Sequence, residues 1–283
     1  MLKRQNTGSI VCPSCGRLVG VRDEECLGCG RRNPGMWGLA PMLNQLGRGF
    51  GFTDVVVVGC TGLFIITLLL RDPESIGGGL FSLLSPGRKA LFLFGASGSL
   101  PIFEFGRWWT VLSAAWLHGG VLHIVMNMLW IRQLMPTLTE YFGVGRLVII
   151  YTVSSIGGFG LTSFMALFNL PGPLHGANFT VGASAPLFGL FGALVLYGQV
   201  TGSRMLTRQV WQWVILFVVI GLLIPFIDNW AHLGGFAGGW LAARWLDPRQ
   251  SESPQHLVAA AVCLAVTLLS ILVSVLHGLQ FLG

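Results

Sequence analysis

A serine and a small group of histidine and asparagine side chains lie within apolar stretches of the sequence, where polar residues are costly and commonly functional. Ser184 lies in one such stretch, His232 in a second, and His118, His123 and Asn127 in a third. A serine hydroxyl is a weak nucleophile and needs a base within hydrogen-bond reach, for which a neutral histidine is the usual choice. Ser184 and His232 could supply that pair.

The remaining polar groups in these stretches suit an oxyanion site. His123 and Asn127 are four residues apart, so in a helix they share one face, and both can donate hydrogen bonds. The backbone N–H of Ser184, in a first helical turn, would be a third donor. Each residue alone also has a structural interpretation, because serine and histidine in membrane helices often make packing hydrogen bonds. The residue types alone therefore leave catalysis and packing both open.

The positions of the acidic residues and the absence of one metal-binding motif exclude other classes of membrane enzyme. None of the 11 Asp and Glu residues falls in the middle of an apolar stretch. This excludes a two-aspartate intramembrane protease and argues against a carboxylate-based transporter. The sequence has no His-Glu-x-x-His motif, which excludes a membrane zinc protease of that class.

A second group of reactive side chains consists of four cysteines near the N-terminus. Cys12, Cys15, Cys26 and Cys29 occur in two copies of the pattern C-x-x-C-G-R. Two such turns present four thiolates to one tetrahedral Zn²⁺. Two disulfides or a redox pair are the alternatives, but no strand–helix–strand pattern surrounds either motif. We therefore predict a structural zinc ribbon over residues 1–35, followed by a linker over 36–53.

The rest of the chain consists of apolar stretches long enough to cross a bilayer, which takes about 20 residues of helix. The chain has 53% hydrophobic and only 10% charged residues, whereas soluble domains carry roughly 25% charged residues. Seven spans are predicted, at 54–70, 110–131, 146–168, 181–199, 209–227, 230–246 and 256–279. The predicted fold class is an all-α multi-pass membrane protein.

The basic residues predict how these spans are oriented. With the N-terminus in the cytoplasm, 13 of the 17 Lys and Arg residues lie on the inner side, as the positive-inside rule requires. We therefore interpret the charge of +6 as topology and expect no nucleic-acid partner. The polar side chains of the three spans then lie at one depth in the membrane, near its outer side. They are Ser184, His232, His118, His123 and Asn127. The outer loop from 71 to 107 has two apolar patches, 80–84 and 91–94, which we expect at the membrane interface.

Small residues would allow the spans that carry Ser184 and His232 to approach backbone to backbone. Such residues occur at Gly182, Ala185, Gly189 and Ala193 in one span and as a G-x-x-x-G pair, Gly235 and Gly239, in the other. Close approach of this kind is common between membrane helices. It is also what a short serine and a histidine need in order to meet.

Four motifs together resemble the rhomboid family of intramembrane serine proteases. They are RWWTVLS at 107–113, HGGVLHIVMN at 118–127, GASA at 182–185 and AHLGGFAGG at 231–239. The resemblance covers residues 54–246, a six-span core, and leaves the zinc ribbon and a seventh span within 247–283 as additions. Ala185 stands where the family commonly has glycine, which is a small change beside the serine.

The resemblance implies a Ser–His dyad in which Ser184 is the nucleophile and His232 the general base. It implies an oxyanion site formed by His123, Asn127 and the Ser184 amide, with His118 as a structural residue. No catalytic cofactor is expected. The implied activity is hydrolysis of peptide bonds in or near the transmembrane segment of membrane-protein substrates. The implied location is the cell membrane, with the active site open to the outer side.

Further expectations concern the surroundings of His232. By similarity, Phe188 packs against this histidine, and the segment 225–229 caps the site. Asp228 lies one turn before His232, and we expect it to be an N-cap of the sixth span rather than a third catalytic residue.

Two other functions compete with proteolysis. One is a catalytically inactive rhomboid-like protein that binds membrane clients, against which the retention of Ser184, His232, His123 and Asn127 argues. The other is a small transporter or channel, which would prefer carboxylates or broken helices at mid-depth. The zinc ribbon is the expected site for a cytosolic partner, although its arginines could instead rest on anionic lipid.

Overall fold

A computed structural model of the chain describes residues 7–36, 51–71, 84–224 and 227–281. Most of the predicted linker, residues 37–50, lies outside the described residues, as do residues 80–83 of the first apolar patch and 225–226 of the predicted cap. The chain divides into two compact units, Met1–Val55 and Val56–Gly283.

Residues 7–36 of the N-terminal unit contain one β-hairpin. Strand β1 (Ser9–Val11) pairs antiparallel with strand β2 (Leu18–Gly20), and Ile10 lies opposite Val19. The described core of this unit is small and consists of Val19 with Cys12 and Cys26, against which Ile10 packs. A core of this size needs additional bonds to hold the fold, which metal ligation can provide.

The two C-x-x-C-G-R copies form matching turns. The N–H of Gly16 donates to the carbonyl of Cys12 at 2.9 Å, and the N–H of Gly30 donates to that of Cys26 at 2.8 Å. Both glycines have a φ of +71°, a left-handed conformation that favours glycine over residues with a Cβ. The sequence repeat is therefore a structural repeat.

The regular secondary structure in the described part of the second unit is helical, apart from an isolated bridge between Ser97 and Thr180. Its α-helices are α1 (Phe52–Leu69, which begins in the N-terminal unit), α2 (Arg88–Phe94), α3 (Thr110–Ser113), α4 (Val121–Phe142), α5 (Val144–Met165), α6 (Ser184–Thr201), α7 (Arg204–Leu223), α8 (Asn229–Trp245) and α9 (Pro254–Leu279). Short 3₁₀ and π turns occur at Leu100–Glu104, Ala114–Trp116, Ala166–Phe168 and Gly172–Leu174. The second apolar patch, 91–94, forms the end of α2.

The fold class predicted from the sequence is confirmed. Among the described residues, five helices are long and apolar enough to cross a membrane, namely α1, α5, α6, α7 and α9, and the bent pair formed by residues 110–116 and α4 makes up to six. The span predicted at 230–246 corresponds to α8, whose 17 residues lie at the lower limit for crossing a bilayer. The protein is a multi-pass membrane protein.

The second predicted span, 110–131, is a broken element in the structure. Residues 110–116 form short helical turns, and α4 begins at Val121 after a bend of 91°. The break falls at Gly119 and Gly120, the latter with extended backbone at φ −179°. The sequence prediction missed this break because the apolar residues continue across it, although a Gly-Gly pair is a recognised signal for a turn.

Helix α8 packs closely along both α5 and α6, and glycines make this packing possible. A Cβ at Gly235 would overlap the carbonyl oxygen of Ala185, and one at Gly239 would overlap the backbone of Gly189. On the α5 side, a Cβ at Gly157 would lie 2.7 Å from the carbonyl oxygen of Gly234. Backbone-to-backbone contact of α6 and α8, expected from the small residues, is therefore present.

A buried arginine fixes the start of α5 to the connection between α8 and α9. Arg146 is only 1% exposed. Its Nη1 donates to the carbonyls of Leu246 and Asp247 at 2.9 and 2.8 Å. Its Nη2 donates to the carbonyl of Gln250 at 2.6 Å. The guanidinium thus satisfies carbonyl groups that follow the end of α8.

Candidate functional site

Ser184 is the first residue of α6, and Thr180, four residues earlier, lies in an extended bridge with Ser97. Thr180 and Ser97 exchange two backbone hydrogen bonds, of 3.0 and 2.8 Å, and Gly182 has a left-handed φ of +141°. This extended pairing explains why α6 begins at Ser184 rather than at 181 as the sequence predicted. The N–H of Ser184 lies in the first turn of α6 and has no partner within the helix.

His232 lies in the first turn of α8, beside the first turns of α6. Its ring stacks on the ring of Phe188, with ring centroids 4.0 Å apart and planes inclined by 7°. Phe188 is one turn after Ser184, so the stack brings Ser184 and His232 to the same end of the α6–α8 pair. Both residues are half-buried. In the described part of the chain no hydrogen bond joins them, and catalytic hydrogen bonds often form only with substrate present.

Asp228 caps α8, as the sequence predicted. Its Oδ1 accepts hydrogen bonds from the N–H of Ala231 at 3.0 Å and from the hydroxyl of Thr162 at 2.7 Å. Thr162 Oγ1 also accepts from the N–H of Ala177 at 2.8 Å. The sequence does not signal this role of Thr162, because a threonine in a membrane helix ordinarily bonds its own i−4 carbonyl. Only the tertiary fold brings it to Asp228.

His123 and Asn127 lie in the first two turns of α4, four residues apart and therefore on the same face of the helix. A Cβ at Gly182 would lie 2.7 Å from both Cε1 and Nε2 of His123, so the His123 ring borders the residues just before Ser184. The Asn127 Nδ2 donates to the carbonyl of His123 at 2.8 Å, and its buried Oδ1 has no partner in the described part of the chain. Since an amide nitrogen carries two hydrogens, one remains for another acceptor.

His118 precedes α4 and is fully buried. The N–H of Ala183 points at its Nε2 at 3.5 Å, and its ring lies edge-on to the ring of His123 with centroids 5.1 Å apart. The structure thus brings His118, His123, Ser184 and His232 to one end of the helices, together with Asn127. The resulting arrangement offers a hydroxyl, an imidazole and several hydrogen-bond donors in one region.

The four N-terminal cysteines form a separate cluster. Their sulfur atoms all lie within 4.8 Å of one another, with 3.7 Å between Cys12 and Cys29 and 3.6 Å between Cys15 and Cys26. A tetrahedral ion bonded to sulfurs at about 2.3 Å would space them about 3.8 Å apart. Hydrogen bonds from the backbone N–H of Ser14, from the N–H of Cys15 and from neighbouring thiols lower the pKa of the Cys12 thiol to about 6, against the opposing effect of burial. The donor set therefore fits a metal ion.

Comparisons with known proteins match the helical unit. A family model described as "Rhomboid domain" matches residues 105–249. "RHOMBOID-like protein 4" of Arabidopsis thaliana is 31% identical over 204 residues, which are 65% of this chain and 50% of that protein. "Rhomboid protease GluP" of Bacillus subtilis (strain 168) is 31% identical over 212 residues, which are 73% of this chain and 38% of that protein. The chain therefore matches half or less of the length of either relative.

Proposed function

Since the chain belongs to the rhomboid family, we propose that it is an intramembrane serine protease with Ser184 as nucleophile and His232 as general base. Its substrates are membrane proteins, cut in or near a transmembrane segment. One relative is itself named a protease, the Bacillus subtilis protein GluP. The alternative within the family is an inactive protein that binds membrane clients without cutting them.

The observation that supports the dyad most is the stack of Phe188 on His232 at 4.0 Å. A stacked imidazole keeps its two nitrogens in the plane of the ring and free of the aromatic face. The stack thereby restricts the plane of the His232 ring, beside the first turns of α6 that carry Ser184. A client-binding protein would not need a histidine restrained beside a serine.

The proposed mechanism follows from these positions. The Ser184 Oγ attacks the substrate carbonyl carbon while His232 accepts the hydroxyl proton. The resulting oxyanion accepts hydrogen bonds from the Ser184 N–H, His123 and the remaining Asn127 N–H. His232 then donates its proton to the leaving amine, so the peptide bond breaks and an acyl-enzyme remains. His232 then accepts a proton from a water molecule, whose oxygen attacks the ester carbonyl. As the bond to the Ser184 oxygen breaks, His232 returns the proton to that oxygen, which releases the acid product and restores Ser184.

Two roles outside the dyad complete the proposal. Asp228 holds the start of α8 through the N–H of Ala231 and takes no proton during the reaction. The buried His118 acts as a structural residue, since its Nε2 faces the N–H of Ala183 just before the nucleophile.

For the cysteine cluster we propose that the bound ion is Zn²⁺ and that it is structural. Four thiolates at tetrahedral spacing are typical of zinc ribbons, in which the closed coordination shell leaves no place for a substrate. The ribbon would lie in the cytoplasm, where it can contact a cytosolic partner. The active site would open to the opposite side of the cell membrane.

The direct test is cleavage by the full chain in detergent. We incubate it with single-span model substrates and map new termini by mass spectrometry. We expect cuts in or beside the transmembrane segment with the wild-type chain and none with Ser184→Ala or His232→Ala. Wild-type protein that binds these substrates without cutting would support the inactive alternative.

A further inference from the structure

Helix α9 follows the matched family domain, which ends at residue 249, yet it bonds directly to residues on the chain between α2 and α3. Ser274 accepts two of these bonds, one at its carbonyl from Arg107 Nη2 at 2.8 Å and one at its hydroxyl from Trp109 Nε1 at 3.0 Å. The hydroxyl of Ser270 donates to the carbonyl of Trp109 at 2.8 Å. Two hydroxyls on one face of α9 thus fix Trp109 at both its backbone and its ring.

The partners of Arg107 make the contact with α9 specific. Arg107 is fully buried, and its charge lies over the ring of Phe92 at 4.1 Å from the ring centre. Nη1 donates to the carbonyl of Phe92 at 2.7 Å, so one of its two hydrogen-bonded carbonyls belongs to α2 and the other to α9. A buried guanidinium is costly unless its donors are satisfied. This favours the arrangement in which α2 and α9 are held together.

The chain after α2 leaves this contact and runs to the segment before Ser184. Gly95, with a φ of +101°, ends α2 beside Ser274, because a Cβ there would lie 2.6 Å from the Ser274 hydroxyl. The next residues then pair with the segment 177–180. Ser97 and Thr180 exchange two backbone bonds, and the N–H of Ser99 donates to the carbonyl of Ala177 at 3.1 Å.

The segment 177–182 leads directly into the candidate site. The N–H of Gly182 donates to the carbonyl of Ala114 at 2.9 Å, and Ser184 is two residues further on. The described contacts therefore form a continuous path from Ser274 on α9, through its close packing against Gly95 and the hydrogen-bonded residues 97–100, to the backbone that presents Ser184.

We propose that α9 is a positioning element of the protease, in which Ser270 and Ser274 fix Trp109 and the segment 95–100 and thereby hold residues 177–182 in the geometry that the Ser184 backbone needs. This proposal rests on the proposed function. The hydroxyls of Ser270 and Ser274 touch no reacting atom and act through the segment 177–182.

The test compares Ser270→Ala/Ser274→Ala with a matched control on the same helix. Thr267 is buried like the two serines, but its hydroxyl donates to the carbonyl of Cys263 in its own helix at 2.8 Å, so Thr267→Val removes a hydroxyl without releasing Trp109. For each full-length variant we measure kcat and KM for a model substrate and the amide hydrogen exchange of residues 96–100 and 177–182.

We expect the double serine variant to lose roughly 10- to 100-fold in kcat with KM within about 2-fold of wild type, because a displacement of about 1 Å can cost 10²-fold. We expect its amides at 177–182 to exchange faster, while Thr267→Val matches wild type in both readouts. Unchanged exchange at 177–182 overturns the proposal, whether or not kcat falls. If the wild-type chain cuts nothing, the proposed function has failed, and exchange alone decides whether α9 holds this segment.

Discussion

At the scale of single residues, the side-chain amide of Asn127 already donates one hydrogen bond in the structure and has a second N–H available to donate another. One Nδ2 hydrogen is used on the carbonyl of His123 at 2.8 Å, which turns the amide toward one side of α4. The other hydrogen is the part that the proposed mechanism uses. In the proposed mechanism Asn127 therefore differs from His232, which would take part in proton transfer.

This difference predicts a graded effect. Asn127→Ala should leave the dyad intact and lower kcat by roughly 10² to 10³, the usual cost of losing one oxyanion donor. Ser184→Ala in the same assay should lower kcat to background. Steady-state cleavage of a model substrate measures both, and an Asn127→Ala variant with wild-type kcat would remove Asn127 from the oxyanion site.

The residue types of the site and two of their supports, Asp228 and Phe188, could be predicted from the sequence, and the support from Thr162 could not. Ser184 and His232 are polar residues in apolar stretches, so they can be recognised as candidate functional residues from the sequence alone. Thr162 carries no such signal, because its hydroxyl meets Asp228 only through the tertiary fold. The predicted roles of Ser184, His232, His123 and Asn127 remain predictions.

At the scale of elements, the contact between α6 and α8 sets the distance between the proposed nucleophile and base. A Cβ at Gly235 would overlap the carbonyl of Ala185, the residue after Ser184. Helix backbones cannot shift at this contact without changing the separation of Ser184 and His232. The G-x-x-x-G pair predicted this packing because its physical cause, the missing Cβ, is local in the sequence.

Gly235→Ala should therefore lower both the melting temperature and the cleavage rate. Overpacking of a tight contact costs roughly 1–3 kcal/mol, and the displaced α8 moves His232. Gly160→Ala on α5 is the matched control, since a Cβ there meets nothing within 4 Å. Thermal unfolding and cleavage assays check both variants, and equal behaviour of the two would show that the α6–α8 contact is not limiting.

Other element boundaries needed long-range contacts and were missed for that reason. The extended residues before α6 are held by the pairing of Thr180 with Ser97, which are 83 residues apart in the sequence. Periodicity within 181–199 carries no information about such a partner. The bend of 91° before α4 was also missed, although Gly119 and Gly120 signalled it locally.

At the scale of the whole molecule, the basic residues predict on which side of the membrane each end of α9 lies. Ser251, before α9, and Gln280, after it, are both exposed. A cysteine introduced at Gln280 should react with a membrane-impermeant reagent added from outside, and one at Ser251 should not, because the positive-inside rule places the arginine-rich connections in the cytoplasm. The opposite labelling pattern would reverse the proposed orientation of the active site.

The cysteine cluster predicts a metal content for the full chain. About one Zn²⁺ per chain should be found by elemental analysis, and Cys12→Ser should lose it, because three thiolates hold the ion far less well than four. Cys263→Ser, on α9 outside the cluster, should keep it. Cleavage should be unchanged in Cys12→Ser, since the proposed zinc is structural. Purified wild-type chain without bound zinc would contradict the ribbon.

The central claim is that Ser184 is a nucleophile activated by His232, and covalent labelling tests it most directly. A fluorophosphonate probe reacts with a serine only when a neighbouring base raises its nucleophilicity. Mass spectrometry of the labelled full chain should place the adduct on Ser184 in the wild type and find almost none in His232→Ala. An adduct on another residue, or equal labelling of Ser184 with and without His232, would contradict the account.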